Sequence, residues 1–446
     1  MSVTNRGLAV GIRALTRFAG MDVIDRLGLR KPSERVLRRA TATGFRTAGA
    51  AGRTFRATQK LASARRQAPE TASKAKGLFD LTPTDDQQML QEAAREFAAA
   101  EIRPAAEAAD RADATPAELL DAAAELGIAS LGVPEELGGI VEERSAVTAT
   151  LIAEALAHGD LGIAVAALAP GAVSTAIGLW GDADQQATYL PEFVGDEPPV
   201  AALTIQEPTA LFDPFALGTV ARRQGDGWTL DGVKSLVPRV ADAELFVVAA
   251  RIEPQNGSGP RTGLFIVESR TDGVTTSPDP AMGLRAASTG RLHLDGVRLP
   301  ASALLADGDD DVYRDAIALG RIGWAALAAG TTKAVLDYVI PYVNEREAFG
   351  EPISHRQAVA FTVSDIAIEA EGLRLVTYRA ASRADRGASF RREAALARRL
   401  TADKGMWIGS QGVQLLGGHG YVKDHPVERW YRDLRAAGIL EGTLLV

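Results

Sequence analysis

The chain has 446 residues, no cysteine, five histidines and a formal charge of −8. The missing thiols exclude disulfides, thiolate zinc sites, cysteine-ligated iron–sulfur clusters and a cysteine nucleophile. His158, His293, His355, His419 and His425 fall in no zinc-hydrolase spacing, so no metal site is expected.

The charge is unevenly spread. Residues 1–78 carry 17 Lys+Arg against 4 Asp+Glu, and the remainder carries 32 against 53. Near the start, Leu8, Ile12, Leu15 and Ala19 share a helical stripe opposite Arg6, Arg13 and Arg17. That is the pattern of a basic amphipathic helix, which predicts docking on an anionic membrane surface or on a partner protein. From Arg35 to Lys76 the segment stays basic and rich in Ala, Thr and Ser, the composition of a solvated tail. An Arg-rich transit peptide has the same look, opposed here by Asp22, Asp25 and Glu34. Arg13 and Arg17 break the apolar stretch that a secretory signal needs. Residues 1–78 therefore read as a basic extension, and nucleic acid is not an expected partner.

Thr82-Pro83-Thr84-Asp85 reads as a helix cap ahead of Met89, Ala93, Phe97 and Ile102. Thr115-Pro116 opens a second helix, Gly138-Gly139 a turn, and Thr148 to His158 a further helix. The uncharged run Leu161 to Gly181 is long enough to span a bilayer, but it contains Pro170 and Gly171. It is read as two buried helical pieces hinged at that pair. Residues 79–200 thus form a helical domain. Residues 201–300 change character: Trp228-Thr229-Leu230, Leu245 to Val248, Leu264 to Val267 and Arg291 to Leu294 are short apolar runs between glycine-rich turns, which predicts a β domain. After Ala301 helical patterning returns over Ala326–Val343, Ala358–Ala384 and Arg392–Leu416. The fold class is α+β: a helical domain, a β-barrel or sandwich domain, and a helical bundle over 301–446.

Motifs in this order resemble the acyl-CoA dehydrogenase family over residues 80–446. They are Leu131 to Gly139, Arg346-Glu347-Ala348-Phe349-Gly350-Glu351-Pro352-Ile353 with Gln357 beyond, Gln414 to Tyr421, and Arg432-Asp433 followed by Glu441-Gly442-Thr443. The resemblance implies FAD as cofactor, an acyl-CoA thioester as substrate and a trans-2-enoyl-CoA as product. It assigns the α-proton base to Glu441. The position of an alternative base used by some relatives, just before Arg321, is Gly320, which cannot act. Burial of one carboxylate and donors aimed at the enolate oxygen suit that chemistry. Those donors would be the Glu441 backbone N–H and a flavin hydroxyl.

The resemblance carries further roles over. Arg346 would reach the FAD pyrophosphate of a neighbouring subunit, as a guanidinium fork suits. Phe349 would pack beside the cofactor, and Gln357 and Gln414 would bond it. Gly417 and Gly418 would let backbone approach it, and Thr443 would also line its site. Phe212, Arg321 and Gly442 would face substrate. A homodimer or homotetramer is expected, with an electron-transfer flavoprotein or another acceptor as redox partner. The expected location is cytoplasmic or on the inner face of a membrane.

This chain departs from the family at the β domain. Gln206 replaces a threonine that would meet the flavin, Phe212 replaces a serine, and Leu236-Val237-Pro238 replaces a Trp-Ile-Thr strand. Pro238 has no N–H to offer the ring, although it can pack on it. Few residues follow Glu441, so its loop is expected to be weakly supported. The alternatives are a non-catalytic or half-site subunit of a heteromeric complex, and an acyl-CoA oxidase.

Overall fold

The structure is a computed structural model describing residues 82–139, 144–195, 197–254, 259 and 261–446. The basic amphipathic helix expected near the start lies outside the described residues. Residues 79–446 form one compact unit.

The helical lobe opens with α1 (Asp85–Phe97). Thr84 caps it as the sequence predicts: its hydroxyl accepts from the Gln87 N–H, and Gln87 returns a bond to the Thr84 N–H. A π-helical turn at Ala98–Ile102 leads into α2 (Arg103–Ala112). Helix α3 (Ala117–Glu125) follows Pro116, and α4 (Ala146–Gly159) starts at Ser145. The Asp385 carboxylate accepts from the Ala146 and Val147 N–H groups, an anion placed against a helix N-terminus.

Helix α5 (Leu161–Trp180) corrects the expected hinge, because it runs unbroken through Pro170. Proline removes one donor from the ladder, but every residue from Leu161 to Ile177 is buried, and surrounding packing holds the rod. Ser174 Oγ adds a 2.6 Å bond to the Ala129 carbonyl. The apolar run is that of a core helix, with 83% of its most apolar window inside the protein. The short α6 (Ala183–Tyr189) closes the lobe.

The β domain is a seven-stranded sheet: β1 (Ala201–Thr204), β2 (Val220–Gln224), β3 (Gly227–Val237), β4 (Leu245–Ile252), β5 (Arg261–Glu268), β6 (Val274–Pro278) and β7 (Gly290–Leu299). One edge of β4 is shared in parallel by β1 and β2, and β5 pairs antiparallel on the other. Then β3, β7 and β6 continue outward from β2, all antiparallel. The register of β3 against β7 shifts between Lys234 and Val237, a bulge that re-aims the strand end carrying Leu236.

The second helical lobe is built on α7 (Asp310–Glu345), flanked by α8 (Gln357–Asp385), α9 (Arg391–Leu400), α10 (Met406–Leu416) and α11 (Val427–Ala437). A π turn at Thr401–Gly405 joins α9 to α10. Helix α7 crosses α4 so closely that a Cβ on Gly330 would lie 2.1 Å from the Glu154 carbonyl oxygen, so only glycine fits. The two helical lobes share one apolar core. A second core joins the later part of α5 and the start of α7 to one face of the sheet.

The Arg432-Asp433 motif fastens all three lobes. Arg432 forks onto Asp110 of α2 at 2.8 and 2.9 Å and donates to the Met282 carbonyl of the β domain. Asp433 accepts from the Leu284 N–H at 2.7 Å. Beside it, Arg429 pairs with buried Asp160, whose other oxygen caps α5 at Ile163. Burial raises the Asp160 carboxyl, and burial together with Asp160 pushes Asp433 up to about 7.

Candidate active site

Glu441 sits on a short segment between the sheet and α7. The Thr443 N–H donates to the Leu203 carbonyl at 3.2 Å, which adds this segment to the edge of β1. Trp324 of α7, fully buried, donates its indole N–H to the Gly442 carbonyl at 2.9 Å. Gly442 and Thr443 both take positive φ, 77° and 71°. A Cβ on Gly442 would lie 2.7 Å from Ile205, so glycine is required there. A β-branched residue at positive φ is an outlier that surrounding contacts must hold, as found at functional sites. Leu444, Leu445 and Val446 are buried, and Arg144 donates to the Val446 carbonyl. The expectation of a weakly supported loop is therefore corrected: α7, β1 and Arg144 all hold it.

The Glu441 carboxylate is buried, with the residue 5% exposed. Arg321 takes both its oxygens, Nε at 3.0 and 3.1 Å and Nη2 at 2.8 Å. Arg398 of α9 adds its Nε at 3.4 Å and anchors Nη1 on the Ala437 carbonyl. Sequence reasoning missed Arg398, which lies within an Arg-rich helix with no pattern to set it apart. Burial lowers the Arg398 guanidinium below its ordinary value, opposed by Glu441. Tyr313 lies near this cluster. Burial and then the charge of Glu441 push its phenol well above the ordinary value, and its hydroxyl donates to the Pro214 carbonyl at 2.5 Å. That bond ties down the loop carrying Phe212, which is half-buried against the sheet–helix core.

The β domain contributes Gln206, whose Oε1 accepts from the Glu441 backbone N–H at 3.2 Å. The Gln206 backbone carbonyl accepts from the Ser235 N–H at 3.0 Å, next to Leu236. The Leu236 N–H reaches Asp279 at 3.3 Å, and Pro238 is buried. Glu207 forms a buried pair with Lys234 at 2.8 Å and accepts from the Gly218 and Thr219 N–H groups. Burial pushes the Lys234 ammonium down to about 8 against the pull of Glu207. Burial raises the Glu207 carboxyl, but Lys234 and the loop donors bring it below its ordinary value. The structure thus gathers Gln206, Leu236, Arg321, Glu441, Gly442 and Thr443, with Phe212 and Pro238 on adjoining segments.

A second group stands apart. Arg346 follows α7, and Phe349, 97% exposed, lies in the tight turn between two-residue strands Glu347–Ala348 and Glu351–Pro352. Gln357 opens α8, Gln414 lies in the last turn of α10, and Gly417 and Gly418 open the 3-10 turn that follows it. Tyr342 joins these parts, bonding His419 Nδ1 at 2.9 Å. Among the described residues, no hydrogen bond or ion pair links this outer group to Glu441.

Residues 84–197, 202–297 and 311–445 match, respectively, the N-terminal, middle and C-terminal domains of acyl-CoA dehydrogenase. The chain belongs to the acyl-CoA dehydrogenase family. An acyl-CoA dehydrogenase of Bacillus subtilis (strain 168) is 32% identical over 373 residues, covering 81% of this chain and 95% of its own. The mitochondrial short-chain specific acyl-CoA dehydrogenase of Mus musculus is 32% identical over 365 residues, covering 80% and 86%. The solved butyryl-CoA dehydrogenase of Megasphaera elsdenii superposes with a TM-score of 0.74 at 28% identity, covering 82% of this chain and 96% of its own.

The family consists of flavin-dependent oxidoreductases whose cofactor is FAD. The outer group fits that cofactor's polar end. The Arg346 guanidinium is exposed and has no carboxylate partner among the described residues, and the space beside Gly417 and Gly418 is open. At the ring end Leu236 is half-buried and Pro238 is buried with no N–H to give, so neither side chain offers the ring a hydrogen bond.

Proposed function

We propose that this acyl-CoA dehydrogenase oxidises an acyl-CoA thioester to the trans-2-enoyl-CoA, with Glu441 taking the α-proton. The observation that carries this reading is a buried carboxylate on a segment fixed by a backbone bond to β1 and by the Trp324 indole of α7, next to the β-domain residues expected to face the flavin. When bound, FAD supplies the hydride acceptor. The protein's part is to hold Glu441, exclude water and present its backbone N–H toward the thioester oxygen. Arg321 engages both oxygens of the carboxylate. For proton abstraction one of them must turn toward the substrate.

A cavity lies against the segment that follows Glu441, lined by Leu131 of the helical lobe, Leu168 and Thr175 of α5, Gly323 of α7 and Leu444 to Val446; neither Glu441 nor Arg321 lines it. Electrons would leave to an electron-transfer flavoprotein, and Arg346, Phe349, Gln357, Gln414, Gly417 and Gly418 would complete the FAD site of a second copy.

Glu441→Gln should keep the yellow flavin spectrum and lower acyl-CoA turnover by about 10²–10⁴-fold, the usual contribution of a general base. Turnover at the wild-type rate would move the base elsewhere. The non-catalytic reading draws support from Pro238 and from the bond between Gln206 and the Glu441 N–H. A purified protein that stays colourless with added FAD would favour it.

A further inference from the structure

The bond between Gln206 and Glu441 has a meaning of its own, which rests on the proposed role of Glu441. The Glu441 N–H is one of the donors that should meet the thioester oxygen as enolate charge develops. Here that donor is already engaged at 3.2 Å by Gln206 Oε1. An N–H can bond only the oxygen end of a side-chain amide, so the orientation of the amide is fixed by its partner. A side-chain amide carbonyl and a thioester carbonyl are the same kind of acceptor: an sp² oxygen on a carbon bearing a heteroatom.

The placement is built into the scaffold. The Gln206 backbone carbonyl accepts from the Ser235 N–H at 3.0 Å. Its neighbour Glu207 is locked by buried Lys234, which also donates to the Ile205 carbonyl at 3.2 Å. On the facing segment, the Thr443 N–H bonds the Leu203 carbonyl, the Trp324 indole bonds the Gly442 carbonyl, and Gly442 packs close against Ile205. Backbone is thus held on both sides of the contact, and the Gln206 side chain is the part left to rotate.

We propose that Gln206 is an internal stand-in for the substrate carbonyl, which competes for the Glu441 N–H and must rotate away when a thioester binds. It acts through Glu441 as a specificity-determining residue, setting how strongly the site distinguishes a carbonyl from a methylene. A flexible amide at this position penalises ligands that bring no acceptor less than those that must displace it.

The test uses the full-length, FAD-loaded protein with Glu441→Gln as background, so that a saturated thioester binds without reacting. The two probes are butyryl-CoA and its S-butyl thioether, which differ only by the carbonyl. Their affinities are measured by calorimetry with and without Gln206→Ala, and again with Gln206→Thr. Any steric gain from the smaller side chain is common to both probes and cancels in the ratio. Removing the competitor should raise the thioester-over-thioether preference about fivefold, the worth of one neutral hydrogen bond. A ratio unchanged in both variants, or a thioester that binds more weakly, overturns the proposal. Bleaching of the flavin by butyryl-CoA in the Glu441→Gln background would instead overturn the assignment of the base. In that event 2,2-dimethylpropanoyl-CoA, which has no α-hydrogen, and its thioether still report the ratio.

Discussion

Lys234 is a fully buried cation whose single carboxylate partner among the described residues is Glu207. Removing one member of such a pair leaves a desolvated charge, which costs more than the pair contributes. Lys234→Met fills similar space without the ammonium. It should lower unfolding free energy by about 3–5 kcal/mol, measured by urea denaturation. Lys234→Met with Glu207→Gln should recover part of that loss, because the glutamine oxygen can still accept from the Gly218 or Thr219 N–H. A Lys234→Met loss below about 1 kcal/mol would mean the pair is not what holds the Gln206 strand end. At this scale the sequence was readable where a motif named the residue. Glu441 and Arg321 were expected together at the site, and they meet. Arg398 was not legible, because its link to Glu441 depends on how α9 packs, and Arg399 beside it serves only an exposed pair with Asp403. Arg321 was expected to face substrate, and in this structure its fork is spent on Glu441.

Among the elements, helix α11 carries polar ties to the other two lobes, and its Asp433 gives it a pH dependence. The folded-state value of about 7 lies above the ordinary 3.8, because the carboxyl is buried and Asp160 lies near, despite Arg429 and Arg432. Between those values the folded protein binds more protons than the unfolded chain. The stability this group contributes is therefore full below about 3.8 and is lost as pH rises through about 7. Asparagine keeps an oxygen for the Leu284 N–H and removes the titration. Between pH 6 and pH 8 the wild type should lose about 1 kcal/mol of unfolding free energy relative to Asp433→Asn. Parallel pH curves for the two proteins would assign the dependence to other groups. The elements themselves were unevenly legible. Strands β3, β4, β5 and β7 carry apolar runs that announced them. β1 is Ala-Ala-Leu-Thr, a poor strand former shaped by burial and by parallel pairing with β4. β6 is a polar edge strand ending in proline. The hinge expected in α5 failed for a related reason: local chemistry argued for a break, and burial on all sides overrode it.

At the scale of the whole molecule, the chain presents a set of groups it does not itself use. Arg346, Phe349, Gln357, Gln414, Gly417 and Gly418 are exposed at one end of the second helical lobe. The order of lobes and these motifs could be read from sequence because each is local. What closes on them could not, because that depends on a surface supplied by another molecule. The Arg346 guanidinium is exposed, and among the described residues no carboxylate lies within ion-pair distance of it. If its proposed partner is the FAD pyrophosphate, Arg346→Ala removes charge-assisted bonds worth about 1.5–3 kcal/mol. FAD affinity should fall roughly 10–100-fold, read as a lower flavin-to-protein absorbance ratio after gel filtration. The unfolding free energy of the apoprotein should stay within about 0.5 kcal/mol of wild type, because an exposed side chain with no partner contributes little to the fold. Loss of flavin together with loss of apoprotein stability would point to a structural role for Arg346. Undiminished flavin binding would move the pyrophosphate away from this end of the lobe, and with it the proposal that a second copy completes the site.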